Sequence, residues 1–230
     1  MGVIERRERE RLETRTKIMD AARDLFAREG YEAVSMRRIA EAIEYSATAI
    51  YVHFKDKQDL LLEICRADFG AFGHMLAELQ AVADPVERIR RMGHAYVRFG
   101  VQHPNHYRLM FMTKVDYPKG AVETDANHGN VDADGYALLK LSCQQAIDQG
   151  RVRREYADAD LLAQAFWAAV HGITSLQITK AKDPWITWVG LEPLAAAVID
   201  AVLRGATVGD ALTHPDAAAN ADAGATGGRP

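Results

Sequence analysis

The sequence predicts an all-α fold of about nine helices, on the strength of two observations. Apolar residues recur at helical spacing along most of the chain, without the sustained alternation that half-buried strands require. Glycine, proline and capping residues interrupt this pattern at the intervals that a helical bundle needs. No internal repeat is present.

The first helix is predicted from an apolar face formed by Ile18, Ala22, Leu25 and Phe26, after which Gly30 offers a C-terminal stop. Cations crowd the beginning of this helix and alternate with glutamates, a pattern more typical of a solvated helix than of a DNA-binding arm. These cations are Arg6, Arg7, Arg9, Arg11, Arg15 and Lys17.

Three further helix starts follow in quick succession. Ser35 and Ser46 are suited to cap two short helices. Asp56 begins a long fourth helix, predicted over residues 56–81, and Asp59 three residues on resembles a capping box. Three helices therefore fit before residue 55.

The fifth helix is predicted from Asp84, with a proline and a glutamate in its first turn, and it should stop near His103 and Pro104. A short helix then carries Tyr107, Met110 and Phe111. Residues 114–131 are polar and turn-rich, which indicates a loop.

Three helices complete the prediction. The first starts at Asp132 or Asp134 and ends before Gly150, and two longer ones cover about 158–181 and 191–204. The stretch from Asp210 onwards has little to bury and is predicted to be disordered.

Charge and composition restrict the function classes. The 230 residues carry a formal charge of −4, which argues against indiscriminate nucleic-acid binding. The first 60 residues hold 12 basic and 12 acidic side chains, so the acidity belongs to the remainder. Cys65 and Cys143 lie in apolar helical patterns and no secretory segment precedes the charged start, so we expect a cytoplasmic protein without disulfides. Because even the most apolar helix contains Gln164, His171 and Gln177, no membrane span is predicted.

The stretch SMRRIAEAIEYSATAIYVHFKDK, residues 35–57, carries the functional prediction. Met36, Ile39, Ala40 and Ile43 form one apolar face, and Ile50 and Phe54 face inward from the next helix after a short turn. Two short helices joined by so tight a turn must cross steeply, which holds the second helix outward. This geometry suits entry into a DNA major groove, with the first turn of the second helix against the base edges.

Residues 12–62 resemble the DNA-binding domain of the tetracycline-repressor (TetR) family. The resemblance rests on DLFAREGYEAVSM, then RRIAEAI, then SATAIYVHFKDKQDLL, where the spacing of Tyr51, His53, Phe54, Lys57 and Leu60 is the strongest signature. It implies a helix-turn-helix DNA-binding domain over 1–60 and a helical ligand-binding and dimerisation domain over 61–208, followed by the disordered tail, 209–230. It also implies a recognition helix over Ser46 to Tyr51, with His53 at its edge.

Each predicted DNA contact has a structural alternative. Thr48 offers a hydroxyl and a methyl to base edges, and Ala47 and Ala49 permit close approach, although helix-forming filler explains these alanines nearly as well. Tyr51 is expected to give its hydroxyl to a phosphate or to be a packed tyrosine with a solvated hydroxyl. His53 is expected to reach a phosphate or to be a surface residue. Lys57 is disfavoured by the helix dipole in a first turn, so a phosphate partner explains its placement better than local stability. Two further positions complete the set: Arg37, which is favoured over Arg38 for phosphate contact, and Ser46.

Two residues depart from the family pattern at the turn. Glu44 stands where family members commonly have glycine, and a left-handed backbone there would cost a non-glycine residue on the order of 1 kcal/mol. Glu44 also places a negative charge near passing phosphates, and Tyr45 replaces a small aliphatic residue.

The second domain holds an unusual set of aromatic residues and histidines. A core packing role and an effector pocket are both consistent with helical spacing, and the family resemblance favours the pocket. The segment FWAAVHGI, with Trp167, His171 and Gly172, resembles the Trp-His-Gly segment of one C-terminal subclass. The predicted pocket residues are Phe99, His103, Tyr107, Met110, Phe111, Trp167 and His171.

Broad apolar faces on the last two helices predict a homodimer with a four-helix interface, which would set two recognition helices about 34–36 Å apart on a near-palindromic operator. The resemblance implies a repressor released by a small, largely apolar or aromatic effector, with a pendulum-like shift of the fourth helix. The alternative is a regulator controlled by a partner protein or by nothing.

An enzyme is the competing class, but the sequence has no GxSxG, GxGxxG, P-loop or HExxH motif. Asp125, Asn127, Asp132 and Asp134 lack the spacing of a calcium-binding EF-hand. His103 and His106 have no nearby cysteine or carboxylate to complete a metal site. We therefore expect no catalytic residues, no metal and no cofactor.

Overall fold

The computed structural model describes residues 3–121 and 125–209, and within these ranges the chain forms nine α-helices and no strand. The helices are α1 (Val3–Glu29), α2 (Met36–Ala42), α3 (Ala47–Tyr51), α4 (Lys57–Ala77), α5 (Pro85–Gln102), α6 (Pro104–Phe111), α7 (Gly135–Asp148), α8 (Ala159–Lys180) and α9 (Leu191–Ala206). The all-α prediction is confirmed. Most of the predicted tail, from residue 210 on, lies outside the described residues.

Helix starts coincide with the predicted capping residues. Ser35 accepts a hydrogen bond from the backbone N–H of Arg38, Ser46 from that of Ala49, and Asp56 from that of Asp59. The Asp84 and Asp134 carboxylates accept from the first backbone N–H groups of α5 and α7. These bonds satisfy orphan N–H groups and so fix where each helix begins. The predicted fourth helix, 56–81, is an α-helix only to Ala77 and then tightens into a 3₁₀ turn, Glu78–Ala81.

The buried apolar residues form two clusters. One combines α1, α2, α3 and the first half of α4 around Ile18, Phe26, Ile39, Ile50 and Phe54. The other lies among α5, α7, α8, α9 and the second half of α4. Phe69 of α4 packs against both clusters, so α4 is the mechanical connection between them.

Helix α6 supplies a second connection. Its Leu109 is buried in the first cluster while its Tyr107 and Met110 are buried in the second. The Asn105 side chain at the start of α6 donates to the Asp24 carboxylate of α1 at 3.0 Å. Both α4 and α6 therefore contact the two core clusters.

Helix α8 is long and apolar enough to cross a bilayer by length and composition alone, and it is the one such helix among the described residues. It packs against α5, α7 and α9 and buries Leu162, Phe166, Val170 and Ile173 in the larger core. The core helix of a soluble protein passes the same test.

Gly73 allows α4 to approach the segment that precedes α7. A Cβ at this position would overlap the backbone carbonyl group of Ala133 and would lie 3.0 Å from the backbone nitrogen of Asp134. Backbone atoms cannot rotate away as a flexible side chain can, so only glycine fits here without displacing this segment.

We expect Gly73→Ala to lower the free energy of unfolding by about 1–3 kcal/mol because it overpacks this contact. Helix propensity alone predicts the opposite sign, a gain of about 1 kcal/mol. Urea denaturation measures the difference. Gly205→Ala is the matched control because no atom lies within 4 Å of its Cβ position in α9, and it should be neutral or stabilising. A stabilised Gly73→Ala protein would contradict this packing.

Candidate functional site

The outer surface of the helix-turn-helix is formed by α3 and the turn before it. Ile50 points into the core with no exposed surface, whereas Thr48 is exposed and Tyr51 is 55% exposed. Val52 and Tyr45 are exposed on either side of the helix. Helix α3 therefore presents Thr48 in its first turn and Tyr51 at its end outward, while Ser46 caps its N-terminus.

Other predicted contact residues have local partners. Ser46 uses its hydroxyl oxygen in the helix cap. Ala47 is half-buried and packs against the first core cluster. Arg37 is 83% exposed and pairs with Glu41 at 2.9 Å, a surface ion pair that a phosphate could replace at little cost. Arg38 is paired with Glu29 at 3.2 Å.

Lys57 lies in the first turn of α4, as predicted, but it points back into the protein. Its ammonium donates to the backbone carbonyl oxygens of Tyr31 (2.8 Å) and Glu32 (3.4 Å) and lies 4.2 Å from the centre of the Tyr31 ring. These contacts offset the unfavourable helix dipole and hold the segment between α1 and α2 against α4. Lys57 thus has a structural role that the sequence did not predict.

Arg15 of α1 holds the end of α3. Its guanidinium donates to the backbone carbonyl oxygen of His53 at 2.9 Å, lies 4.3 Å from the centre of the Phe54 ring and pairs with Glu63 of α4 at 2.5 Å. Burial, followed by the charges of Arg11 and Arg15, lowers the pKa of His53. His53 Nδ1 is buried without a hydrogen-bond partner, so only the other ring nitrogen can bind a group outside the protein.

The turn before α3 contains a strained residue. Glu44 has φ +60° and is the one non-glycine residue with positive φ among residues 3–121 and 125–209. The backbone N–H of Tyr45 donates to the carbonyl of Ala40 at 2.9 Å and closes the turn. The left-handed turn expected from the family pattern is therefore kept, although the residue is not glycine.

Glu44→Gly should raise the free energy of unfolding by about 1 kcal/mol relative to Glu44→Ala. Both substitutions remove the same charge, but only glycine relieves the left-handed strain. The difference between their free energies of unfolding therefore measures the cost of the left-handed backbone. Thermal unfolding of the two variants checks this expectation. Equal stabilities would show that the turn is not strained in solution.

The larger core encloses a cavity of about 710 Å³ between α4, α5, α6, α7 and α8. Aromatic and aliphatic side chains form most of its wall, and the segment before α7 closes one side. This volume is in the range of small-molecule sites. The lining includes Phe69, Phe72, Tyr96, Met110, Phe111, Tyr136, Leu139, Phe166, Trp167 and Val170.

Three of the seven predicted pocket residues, Met110, Phe111 and Trp167, lie in the cavity wall. The other four do not line it. Phe99 packs on Phe72 with ring centres 4.8 Å apart, and the His103 ring contacts Phe99 and His106. Tyr107 and His171 form the layer behind Tyr96. These four residues therefore lie beside or behind the wall, to which α5, α6 and α8 contribute other side chains.

A chain of hydrogen bonds connects the wall to this second layer. Trp167 Nε1 donates to the Tyr96 hydroxyl at 3.0 Å, that hydroxyl lies 3.0 Å from the Tyr107 hydroxyl, and the latter lies 2.6 Å from His171 Nδ1. Burial lowers the pKa of His171 and raises that of Tyr107 to about 12. With a neutral His171, Tyr96 donates to Tyr107 and Tyr107 donates to His171, so every member of the chain is satisfied.

Sequence reasoning missed the polar part of the wall. Arg66 of α4, Tyr117, Lys119, Asp125 and Asn127 all line the cavity, and four of these five come from the loop between α6 and α7. A turn-rich polar segment predicts a surface loop but not which cavity it covers. In α4 the signal was Arg66 itself, a cation among the apolar residues Leu62, Cys65 and Phe69 that line the cavity with it.

Two family models match the chain. The model of bacterial regulatory proteins of the tetR family matches residues 18–64, and the model of the tetracyclin repressor-like C-terminal domain matches residues 89–202. The HTH-type transcriptional repressor AcnR of Corynebacterium diphtheriae is 39% identical over 64 residues, 28% of this chain and 34% of that protein. The HTH-type transcriptional regulator AcrR of Shigella flexneri is 39% identical over 82 residues, 35% and 38% of the two chains. This likeness spans little more than a third of either relative.

Solved structures with the same fold match over most of their length. A TetR family transcriptional regulator, PfmR, from Thermus thermophilus is 27% identical with a TM-score of 0.60, covering 81% of this chain and 97% of that one. The transcriptional regulator FadR from Bacillus subtilis, solved in complex with stearoyl-CoA, is 17% identical with a TM-score of 0.66, covering 83% and 98%. The second likeness shows the fold alone.

Proposed function

Because the chain belongs to the TetR family of transcriptional regulators, we propose that it is a dimeric repressor that binds a near-palindromic operator and is released by a small effector in the cavity. The observation that carries the proposal is the path of α4, which begins beside the recognition helix and continues along the cavity wall. A ligand that changes the position of α4 changes the position of the first three helices.

The DNA contacts are proposed from exposure and chemistry. Thr48 and Tyr51 project from α3, where a base edge and a phosphate are the natural partners of a short hydroxyl side chain and a tyrosine hydroxyl. Arg37 is free to exchange Glu41 for a phosphate. Ser46, Ala47 and His53 act by placing the recognition helix, and Lys57 joins the DNA surface only if it leaves the Tyr31 and Glu32 carbonyls.

The dimer is proposed from the outer faces of α8 and α9. Leu161 and Leu176 of α8 are 50% and 47% exposed, which is high for leucine on a helix that otherwise packs in the core. Small residues on both helices permit close contact with a second copy: Ala165, Ala168 and Gly172 on α8, and Ala197 and Ala201 on α9. An isologous four-helix interface would bury both faces.

The effector is proposed to be largely apolar or aromatic, because most of the wall consists of such side chains. Trp167 lies in the cavity wall and is also 38% exposed on α8, beside the proposed dimer face. A ligand in contact with Trp167 thus contacts α8 directly, and Trp167 is hydrogen-bonded to Tyr96 of α5. It shifts the DNA-binding state only if it binds the two states with different affinity.

Selection of bound sequences from a random duplex library tests the DNA-binding proposal. The wild-type protein should enrich an inverted repeat, and Tyr51→Ala should lose that enrichment while Tyr51→Phe, which lacks only the hydroxyl, should keep part of it. Light scattering of the bound complex should give two chains per operator. Failure to enrich any sequence at low salt would overturn the proposal.

The competing proposal is a regulator without a small-molecule effector, in which the aromatic cluster is only core. Screening a library of apolar compounds by thermal shift separates the two, because a ligand of the native cavity raises the melting temperature. A complete absence of shifts would favour control by a partner protein or constitutive repression.

A further inference from the structure

The cavity wall is asymmetric in charge. Both carboxylates of the wall are hydrogen-bonded to backbone N–H groups: Asp125 accepts from Asn127, and Asp134 accepts from Gly129, Tyr136 and Ala137. The cations of the wall are Arg66 of α4 and Lys119 of the loop that covers the cavity, and both are exposed. A ligand with an apolar body would meet these cations with its polar end.

Arg66 has hydrogen-bonding capacity to spare. Its Nη1 donates to one oxygen of Glu63, while its Nε forms a longer ion pair with Asp125, at 3.9 Å and so beyond hydrogen-bond distance. The contacts of the described residues include no hydrogen bond from the Nε and Nη2 groups of Arg66. These two groups form the edge of a guanidinium that binds a carboxylate with two parallel hydrogen bonds.

Glu63 connects Arg66 to the DNA-binding helices. One of its oxygens binds Arg66 and the other binds Arg15 at 2.5 Å, so the two arginines share a single carboxylate. Arg15 in turn donates to the carbonyl of His53 at the end of α3 and covers the ring of Phe54. Glu63 and Arg15 are each about 30% exposed, so solvent screens this chain less than a fully exposed ion pair.

We propose that the effector is an amphipathic carboxylate whose anionic end binds Arg66 and whose apolar body fills the aromatic cavity, and that this contact weakens the bond between Arg66 and Glu63. Glu63 is then held by Arg15 alone, and the Arg15 contacts that position the end of the recognition helix are altered. This inference rests on the proposed function and names the chemical class and the signalling residue of that same cavity.

Calorimetric titration with three ligands of equal chain length tests the ligand class. Dodecanoate, dodecylamine and dodecanol, each below the concentration at which it forms micelles, are added to the full-length protein. We expect dodecanoate to bind at least tenfold more tightly than dodecanol and dodecylamine not to bind. Equal binding of all three, preference for the amine, or binding of none would overturn the assignment.

Arg66→Gln should weaken dodecanoate binding at least tenfold and leave dodecanol binding unchanged. Arg91→Gln is the matched control, because Arg91 also pairs with a glutamate of its own helix, Glu87 at 2.8 Å, has similar exposure, and lies outside the cavity wall. It should bind dodecanoate as the wild type does. Wild-type affinity in Arg66→Gln would overturn the role of Arg66.

The connection through Glu63 is tested separately, by measuring operator affinity in the absence of ligand. Arg66→Gln removes one of the two partners of Glu63, so it should bind the selected operator several-fold more weakly, while Arg91→Gln should not. Unchanged affinity in both variants would overturn the signalling step. If the wild-type protein binds no operator, the proposed function fails. If it binds an operator but not dodecanoate, only this inference fails.

Discussion

Thr48→Glu is expected to weaken operator binding about 100-fold or more without destabilising the protein. Thr48 is exposed in the first turn of α3, between the capping Ser46 and Tyr51. A carboxylate there would face the phosphates and base edges of the groove, and like-charge contact at an interface costs several kcal/mol. The same carboxylate is favourable at a helix N-terminus by about 0.3–1 kcal/mol, so folding should be unaffected or improved.

Thr48→Gln is the control for this prediction, since glutamine has the size of glutamate without its charge. Fluorescence anisotropy with the selected operator should show a smaller loss for glutamine than for glutamate, and thermal unfolding should show both variants folded. The glutamate variant should also lose affinity for random duplex DNA. Wild-type affinity in Thr48→Glu would place the recognition surface elsewhere on the molecule.

The fold was largely predictable because the capping residues that begin its helices act over only two or three residues of sequence. Ser35, Ser46, Asp56 and Asp84 each accept a hydrogen bond from a backbone N–H two or three residues onward, so a short stretch of sequence contains the whole interaction. The end of α4 was predicted four residues too late. Residues Glu78–Ala81 keep a helical pattern but form a tighter turn, which sequence periodicity does not distinguish from an α-helix.

The site was less predictable because its contacts are distant in sequence. Lys57 was predicted from the helix dipole to have a phosphate partner, whereas its partners within the protein are the carbonyls of Tyr31 and Glu32, 26 and 25 residues away. The sequence predicted both Tyr107 and Met110 as pocket residues on one short helix. Only the packing of α5 and α8 makes Met110 line the cavity while Tyr107 lies behind it.

Asp68→Asn is expected to lower the free energy of unfolding by about 3–5 kcal/mol, a large share of the stability of an ordinary domain. Asp68 of α4 and Arg23 of α1 are 6% and 8% exposed, and their side chains make two parallel hydrogen bonds, at 2.8 and 2.9 Å. Burial alone would lower the pKa of Arg23, but hydrogen bonds and Coulombic attraction from Asp68 and Asp20 raise it. Arg23 therefore stays charged and is left without its buried counter-charge in the variant.

Asp20→Asn is the matched control, because Asp20 pairs with the same guanidinium at 2.6 Å but is 61% exposed. Its loss should cost less than about 1 kcal/mol, as for other solvent-exposed pairs. Urea denaturation compares the free energies of unfolding of the two variants. Each variant removes one negative charge beside Arg23, so the difference between them reports the effect of burial. The Arg23–Asp68 pair joins the first core cluster to the helix that lines the cavity, so Asp68→Asn should also weaken operator binding beyond the loss of folded protein. If Asp68→Asn were as stable as Asp20→Asn, the Arg23–Asp68 pair would contribute little to holding α1 against α4, and α4 could not transmit a ligand signal through this pair.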